Sequence, residues 1–280
     1  MRNRRIGIAA GMLVLFGILA AGCATRSTHQ ASSVMQYLYS GKQQMVEPAP
    51  VAHLTLPLRV GIAFVPGGAQ YSTRQLSEKE KMDLLTGIGK EFKGLPFVKS
   101  IEIIPSPYLT PQGSFTNLDQ IRTMYGIDVI ALVSYDQVQH TDQGLLSLSY
   151  WTLVGAYVVK GEKNDTSTML DAAVYHIPSR KFLFRAPGTS QIKGAATPVN
   201  LSEQLRLDAQ SGFAEAAANL VENLKVQLEL FKEKVKETPD EYRVTASPTY
   251  RGGGSVGGLT AFTLVAAGGI VAWYGRKERR

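Results

Sequence analysis

The chain has 280 residues, of which 44% are hydrophobic and 19% charged, and its formal net charge at pH 7 is +7. Most of this positive charge lies at the two ends: the first 22 residues contribute three arginines, and residues 276–280 contribute a net charge of +3, which leaves +1 for the rest. Because a nucleic-acid-binding domain needs a basic surface of its own, the sequence predicts no nucleic-acid partner.

The first 22 residues are typical of an exported protein. Three arginines precede the apolar residues 6–20, and the small residues 20–22 lead directly to Cys23. This order resembles a bacterial lipobox, although Ala20 stands where leucine is preferred. We therefore expect residues 1–22 to be a lipoprotein signal peptide, signal peptidase II to cut before Cys23, and this only cysteine of the chain to anchor the protein to membrane lipid. The alternative is a conventional signal peptide followed by an incidental cysteine.

Residues 23–57 are predicted to be a lipidated tether and linker, because they are polar and carry three prolines. Residues 58–238 are predicted to form one globular domain. Its first half alternates strands and helices, and its second half has consecutive strands followed by a long helix that begins at Asn200. The predicted fold class is therefore α/β (α+β), a single mixed-sheet sandwich with helices packed on it. The predicted strands are residues 58–65, 97–104, 128–135, 146–160, 169–177 and 182–185, the last two joined by a hairpin turn at residues 178–181. The first two helices begin at Ser77, which forms a capping box with Glu80, and at Thr116, and Gly126 ends the second. Apolar residues recur every three or four positions along the long final helix, so we expect it to dock on the sheet of the same chain, although a coiled-coil partner could use the same stripe.

The C-terminal end carries a second targeting signal, in addition to the lipobox. Residues 239–255 are predicted to be a linker that ends in a glycine-rich motif, and residues 256–275 contain no charge. Twenty residues of helix span about 30 Å, enough to cross a bilayer core, and the basic residues 276–280 would remain in the cytoplasm. The motif itself is Gly252, Gly253, Gly254 and Ser255.

These features together resemble the rhombotarget (rhombotail) lipoprotein family. The resemblance is carried by the lipobox at Cys23, residues 125–132, the hairpin 174–185 with residues 186–189 after it, and the glycine-rich tail. It implies that the tail is a GlyGly-CTERM sorting signal, cut near residues 252–255 by rhombosortase, an intramembrane protease of the rhomboid type. It also implies a final location at the Gram-negative outer membrane or cell surface. The alternative is an uncleaved tail that holds the protein in the inner membrane at both ends.

No enzyme signature is found in a suitable context. The four histidines lack the spacing of a zinc site, and the G-x-S-x-G pattern at residues 253–257 falls inside the sorting signal. Asp128, Asp136 and Asp142 lie near one predicted strand and are more typical of solvated turns than of acid–base catalysis. The sequence predicts no enzyme, no cofactor and no metal.

Two classes of function remain open for the domain. One is a domain that binds an envelope protein or itself, through the strand around Trp151 or the long final helix. The other is a hydrolase or ligand-binding domain whose site residues are dispersed in sequence. A pocket with convergent ionisable groups would favour the second class, and a solid core without a cleft would favour the first.

Overall fold

A computed structural model of the protein describes residues 26–39, 51–67, 77–143, 162–197, 199–248 and 250. Cys23, the glycine-rich motif, the span 256–275 and the predicted strand 146–160 lie outside the described residues, so what was expected of them stays a prediction. Within the described ranges, no helix is both long and apolar enough to cross a membrane.

The described residues form eight strands and four α-helices. A short 3₁₀ helix, Ser106–Tyr108, also precedes the third α-helix. In chain order the elements are β1 (Arg26–Ala31), α1 (Val34–Leu38), β2 (Ala52–Leu56), β3 (Leu58–Phe64), α2 (Glu78–Phe92), β4 (Val98–Ile104), α3 (Ser114–Tyr125), β5 (Val129–Gln143), β6 (Glu162–His176), β7 (Lys181–Ala196), α4 (Leu201–Glu237) and β8 (Tyr242–Ala246).

The main sheet has the strand order β4-β3-β5-β6-β7. Its strands β4, β3 and β5 are parallel, whereas β6 and β7 continue the sheet as antiparallel neighbours. Strand β1 pairs with the far end of β5, and β2 and β8 form a separate parallel pair. The structure confirms a mixed α/β fold built from a sheet and helices.

Helices cover both faces of this sheet because its central strand is apolar on both sides. On β5, Ile130 and Leu132 face a core shared with α1 and α3, while Val133 and Tyr135 face a core shared with α2 and α4. The apolar stripe of α4 docks on the sheet of the same chain, as its helical spacing led us to expect. Its buried members are Phe213, Ala216, Ala217, Leu220, Leu224 and Phe231.

The folded elements extend beyond the predicted boundaries at both ends. Strand β1 lies within the predicted tether and pairs with β5 from Arg26 opposite Thr141 to Ala31 opposite Asp136. Strands β2 and β8 also lie outside residues 58–238, yet they pair along their full length. Both pairs join segments that are remote in sequence. A short polar strand such as β1 has no hydrophobic pattern from which its pairing could be predicted.

Local signals in the sequence were more informative. The capping box between Ser77 and Glu80 is present, and Gly126 ends α3 in the left-handed conformation with φ of 64°. Helix α3 begins earlier than predicted, at Ser114 rather than near Thr116, without a side-chain cap. Strands β6 and β7 are also longer than predicted. The halves farthest from the turn that joins them carry polar residues, which become buried only beneath α4, so the sequence shows no apolar strand pattern there.

Buried polar residues of β5 are satisfied by side chains of β6 and by backbone carbonyls of α4. Gln137 donates hydrogen bonds to Thr168 (2.8 Å) and to the carbonyl of Ala209 (3.3 Å), and Gln139 donates to Thr166 (3.1 Å) and the carbonyl of Leu205 (2.9 Å). Because these groups pair inside the protein, burying them carries little desolvation cost. The polar half of the sheet is thereby held under the helix.

Candidate functional site

A cleft of about 520 Å³ opens at the amino ends of the three parallel strands. Its floor is formed by the first residues of β3 and β4 and by Asp128, immediately before β5, and its rim by β2, by Ser247 immediately after β8 and by the turn between β6 and β7. The lining residues are Val51, His53, Thr55, Leu56, Pro57, Leu58, Arg59, Lys99, Arg122, Asp128, His176, Pro178, Ser179 and Ser247.

One carboxylate organises the charged floor of this cleft. Asp128, at the start of β5, accepts hydrogen bonds from Nε (3.1 Å) and Nη2 (2.8 Å) of Arg59 in the neighbouring strand. Arg122, on the last turn of α3, places its Nε 3.6 Å from the other carboxylate oxygen. That distance is an ion pair but too long for a hydrogen bond.

The floor carries more positive than negative charge. The buried Nε of Arg122 has no hydrogen-bond partner among the described residues. The exposed side chain of Lys99 adds a third cation and forms no ion pair with another described residue. Three cations therefore face a single carboxylate, and the excess favours a negatively charged ligand.

His176 and Ser179 form the polar rim. The histidine is 4% exposed, and its Nδ1 lies 2.7 Å from the hydroxyl oxygen of Ser179 in the following turn. Burial lowers the pKa of His176 below its ordinary value of 6.5; the nearby Asp128 opposes this change, and Arg122 and His53 reinforce it. The imidazole is therefore neutral at pH 7, and the rim adds hydrogen-bonding groups without adding charge.

The lowered pKa of His176 predicts that the protein loses stability on acidification. Between the folded pKa and the unfolded pKa near 6.5, the unfolded chain binds more protons, so the free energy of unfolding falls as pH drops through this window. His176→Asn, which keeps a polar group near Nδ1, should flatten that dependence in urea unfolding measured at several pH values from 7.5 to 5. As the control, His140→Asn changes an exposed histidine outside the cleft and should leave the slope close to that of the wild type. Equal slopes for all three proteins would contradict the assignment.

The sequence-predicted site residues and the cleft do not coincide. Cys23 and residues 252–255 lie outside the described residues, as does Trp151. Of the three aspartates considered above, only Asp128 reaches the cleft, because Asp136 and Asp142 lie farther along the same strand. Within the described residues, no three metal-ligating side chains converge.

Sequence reasoning missed the cleft for a specific reason. Its charged residues come from β3, β4, α3 and the start of β5, and no two of them are close enough in sequence to form a motif. The usable signals were weak: a histidine and a serine on either side of Pro178, and an aspartate immediately before a buried strand. Only the sheet order brings them together.

Comparisons with known proteins do not identify this chain. No protein family and no curated protein matches it. Among solved structures it is similar to a lipoprotein from Neisseria meningitidis, with 11% sequence identity over 58% of this chain and 95% of that chain and a TM-score of 0.22. A TM-score this low does not establish a shared fold.

Proposed function

We propose that the protein is a bacterial envelope lipoprotein, lipidated at Cys23 and processed by a rhomboid-type protease near residues 252–255. Its folded domain is non-enzymatic and binds a partner at the outer membrane or cell surface. The supporting motifs are the small residues before Cys23 and the order of glycine-rich motif, uncharged span and basic end.

The observation that carries this proposal is where the two ends leave the folded domain. Arg26, soon after Cys23, lies opposite Thr141 near the distal end of β5. The other end leaves at Ser247, whose backbone N–H bonds the carbonyl of Leu56 just before β3. Since Val60 of β3 pairs with Val129, the length of β5 from Val129 to Thr141 separates the two exits by about 40 Å.

This separation distinguishes the processed form from the doubly anchored alternative. With both anchors in one membrane, both ends of the sheet must stay close to that membrane, because only two residues separate Cys23 from Arg26 and only eight separate Ser247 from Val256. Once the tail is cut, the domain is held at one end only, and the cleft at its other end is free to move away from the membrane. A surface protein that binds a partner gains from that freedom.

The kind of partner is the less defined part of the proposal. A protein partner or a second copy of the chain was the first expectation, and the exposed Val226 (56%) and Leu230 (58%) of α4 provide a small apolar surface for one. The cleft, with its convergent ionisable groups, favours a second candidate, a ligand-binding domain. We propose no catalysis because the hydroxyl of Ser179 is buried and held in a tight turn.

Intact-mass analysis of the protein from its native host tests both proposed processing events, lipidation at Cys23 and cleavage near residues 252–255. We expect a product that begins at diacylated Cys23 and ends near Gly254 or Ser255, because both segments match processing signals. The same measurement in a strain without the rhomboid-type protease should give a product that retains residues 256–280. As a matched control, Cys23→Ser should lose the lipid mass.

Retention of Trp273 and the terminal arginines in both strains would contradict the sorting proposal and favour the doubly anchored form. An unlipidated Cys23 in the wild-type protein would contradict the lipoprotein part. Release of phenol from phenyl phosphate by the purified protein would contradict the non-enzymatic part.

A further inference from the structure

We propose that the cleft binds a small organic anion, with a phosphate or carboxylate group at Arg59, Lys99 and Arg122 and an apolar part against the apolar residues that line the same cleft. The proposal rests on the second candidate function, the ligand-binding domain, and names its ligand class. The charge and size of the cleft do not depend on how either end of the chain is processed; only the source of the ligand does.

The excess of positive charge in the cleft favours a negatively charged ligand. Asp128 is already engaged by Arg59 and Arg122, so it offers little to an incoming cation. The side chain of Arg122 remains 43% exposed, and the exposed ammonium of Lys99 forms no ion pair with a described residue. An oxyanion of phosphate or carboxylate geometry would satisfy both groups.

The rim provides neutral hydrogen-bonding groups beside these cations. His176 and Ser179 are bonded to each other at 2.7 Å, and His53 and Thr55 contribute exposed polar side chains from β2. The exposed side chains of His53 and Thr55 can bind hydroxyl or amide functions of a ligand, whereas His176 and Ser179 are buried and bonded to each other. These groups do not offset the positive charge of the floor.

The size and apolar lining of the cleft exclude a bare inorganic ion as the best ligand. A volume of about 520 Å³ lies within the range of roughly 300–1,000 Å³ that is typical of small-molecule sites. Five of the lining residues are apolar: Val51, Leu56, Pro57, Leu58 and Pro178. A ligand that joins an oxyanion to an apolar group would contact both parts.

The position of the cleft also indicates the source of the ligand. It lies at the amino ends of β3 and β5, whereas Arg26, the described residue closest in sequence to Cys23, lies about 40 Å away along β5. Once the tail is cut, the headgroups of the membrane that holds a lipidated Cys23 can therefore lie about 40 Å from the cleft. A soluble anion can reach it.

Calorimetric titration of the full chain, purified in detergent, tests the proposal with phenyl phosphate and benzoate as anionic probes and benzylamine as the matched cation. We expect saturable binding of at least one anion and none of benzylamine. Lys99→Gln should raise the dissociation constant of the bound anion about tenfold, because a charge-assisted hydrogen bond is lost. Lys93→Gln removes the same charge from an exposed residue outside the cleft and should leave the dissociation constant unchanged.

The two anionic probes distinguish the possible ligand groups: tighter binding of phenyl phosphate assigns a phosphate, and tighter binding of benzoate a carboxylate. Equal effects of Lys99→Gln and Lys93→Gln, equal binding of benzylamine, or no binding of either anion would overturn the proposal. Because Lys99 is exposed, its substitution should not unfold the protein. A negative titration would leave the proposed processing at Cys23 and residues 252–255 intact, and an unprocessed tail would leave the cleft proposal intact.

Discussion

Gly188→Ala is expected to destabilise the protein by about 3 kcal/mol, because there is no space for a methyl group where α4 crosses β7. A Cβ atom at this position would meet the carbonyl oxygen of Ala216 and would lie 2.6 Å from both N and Cβ of Leu220. Two of these three atoms belong to the helix backbone, so a side-chain rotation cannot relieve the clash. The helix would have to move away from the sheet, and urea unfolding of the detergent-purified chain, followed by circular dichroism, measures the loss.

The control for this prediction is a second glycine-to-alanine change in an open place. Gly87 lies inside α2, and a Cβ atom there would meet nothing within 4 Å. Gly87→Ala should stabilise the protein by about 0.5–1 kcal/mol, because alanine is the better helix former. Similar unfolding midpoints for Gly188→Ala and the wild type would show that α4 does not pack this closely on β7.

Leu118→Ala should cost about 2–5 kcal/mol, since it leaves a cavity in the core on the other face of the sheet. Leu118 is fully buried on α3, where it packs among residues of α1, β3 and β5. The same helix carries Arg122 into the cleft one turn later. Loss of α3 docking would therefore also weaken anion binding near the unfolding transition, while binding to the fully folded variant should remain.

Met124→Ala on the same helix is the matched surface change. Its side chain is 63% exposed, so we expect a change within about 0.5 kcal/mol of the wild type. If the two variants lost equal stability in the urea experiment, the assignment of α3 to the buried layer would be contradicted.

The two ends of the domain have separate roles in the proposed function. The distal end of β5 lies beside β1, which follows Cys23 closely, and the proximal end holds the cleft and the exit toward the sorting motif. Cleavage of the tail would thus remove a membrane anchor next to the cleft. The proposed processing and the proposed binding site are connected by this geometry, although each can be tested alone.

The sequence by itself determined what depends on neighbours within a few residues or on composition. It predicted the capping box at Ser77, the glycine stop at Gly126, the hairpin turn before Lys181 and the long amphipathic helix, because each follows from backbone preferences or helical spacing. The two targeting signals at the chain ends are also read from the sequence, and lipidation at one end and cleavage at the other stay predictions.

Only the tertiary structure decided which strands join the sheet beyond residues 58–238 and where a site forms. Strand β1 joins β5 through backbone hydrogen bonds, and the polarity of its side chains gives no sign of this pairing. Gln137 and Gln139 look like solvent-facing residues until α4 supplies carbonyl partners for them. The cleft exists because parallel pairing places the amino ends of β3, β4 and β5 side by side, and the order of strands in a sheet is set by packing between distant segments rather than by any local pattern.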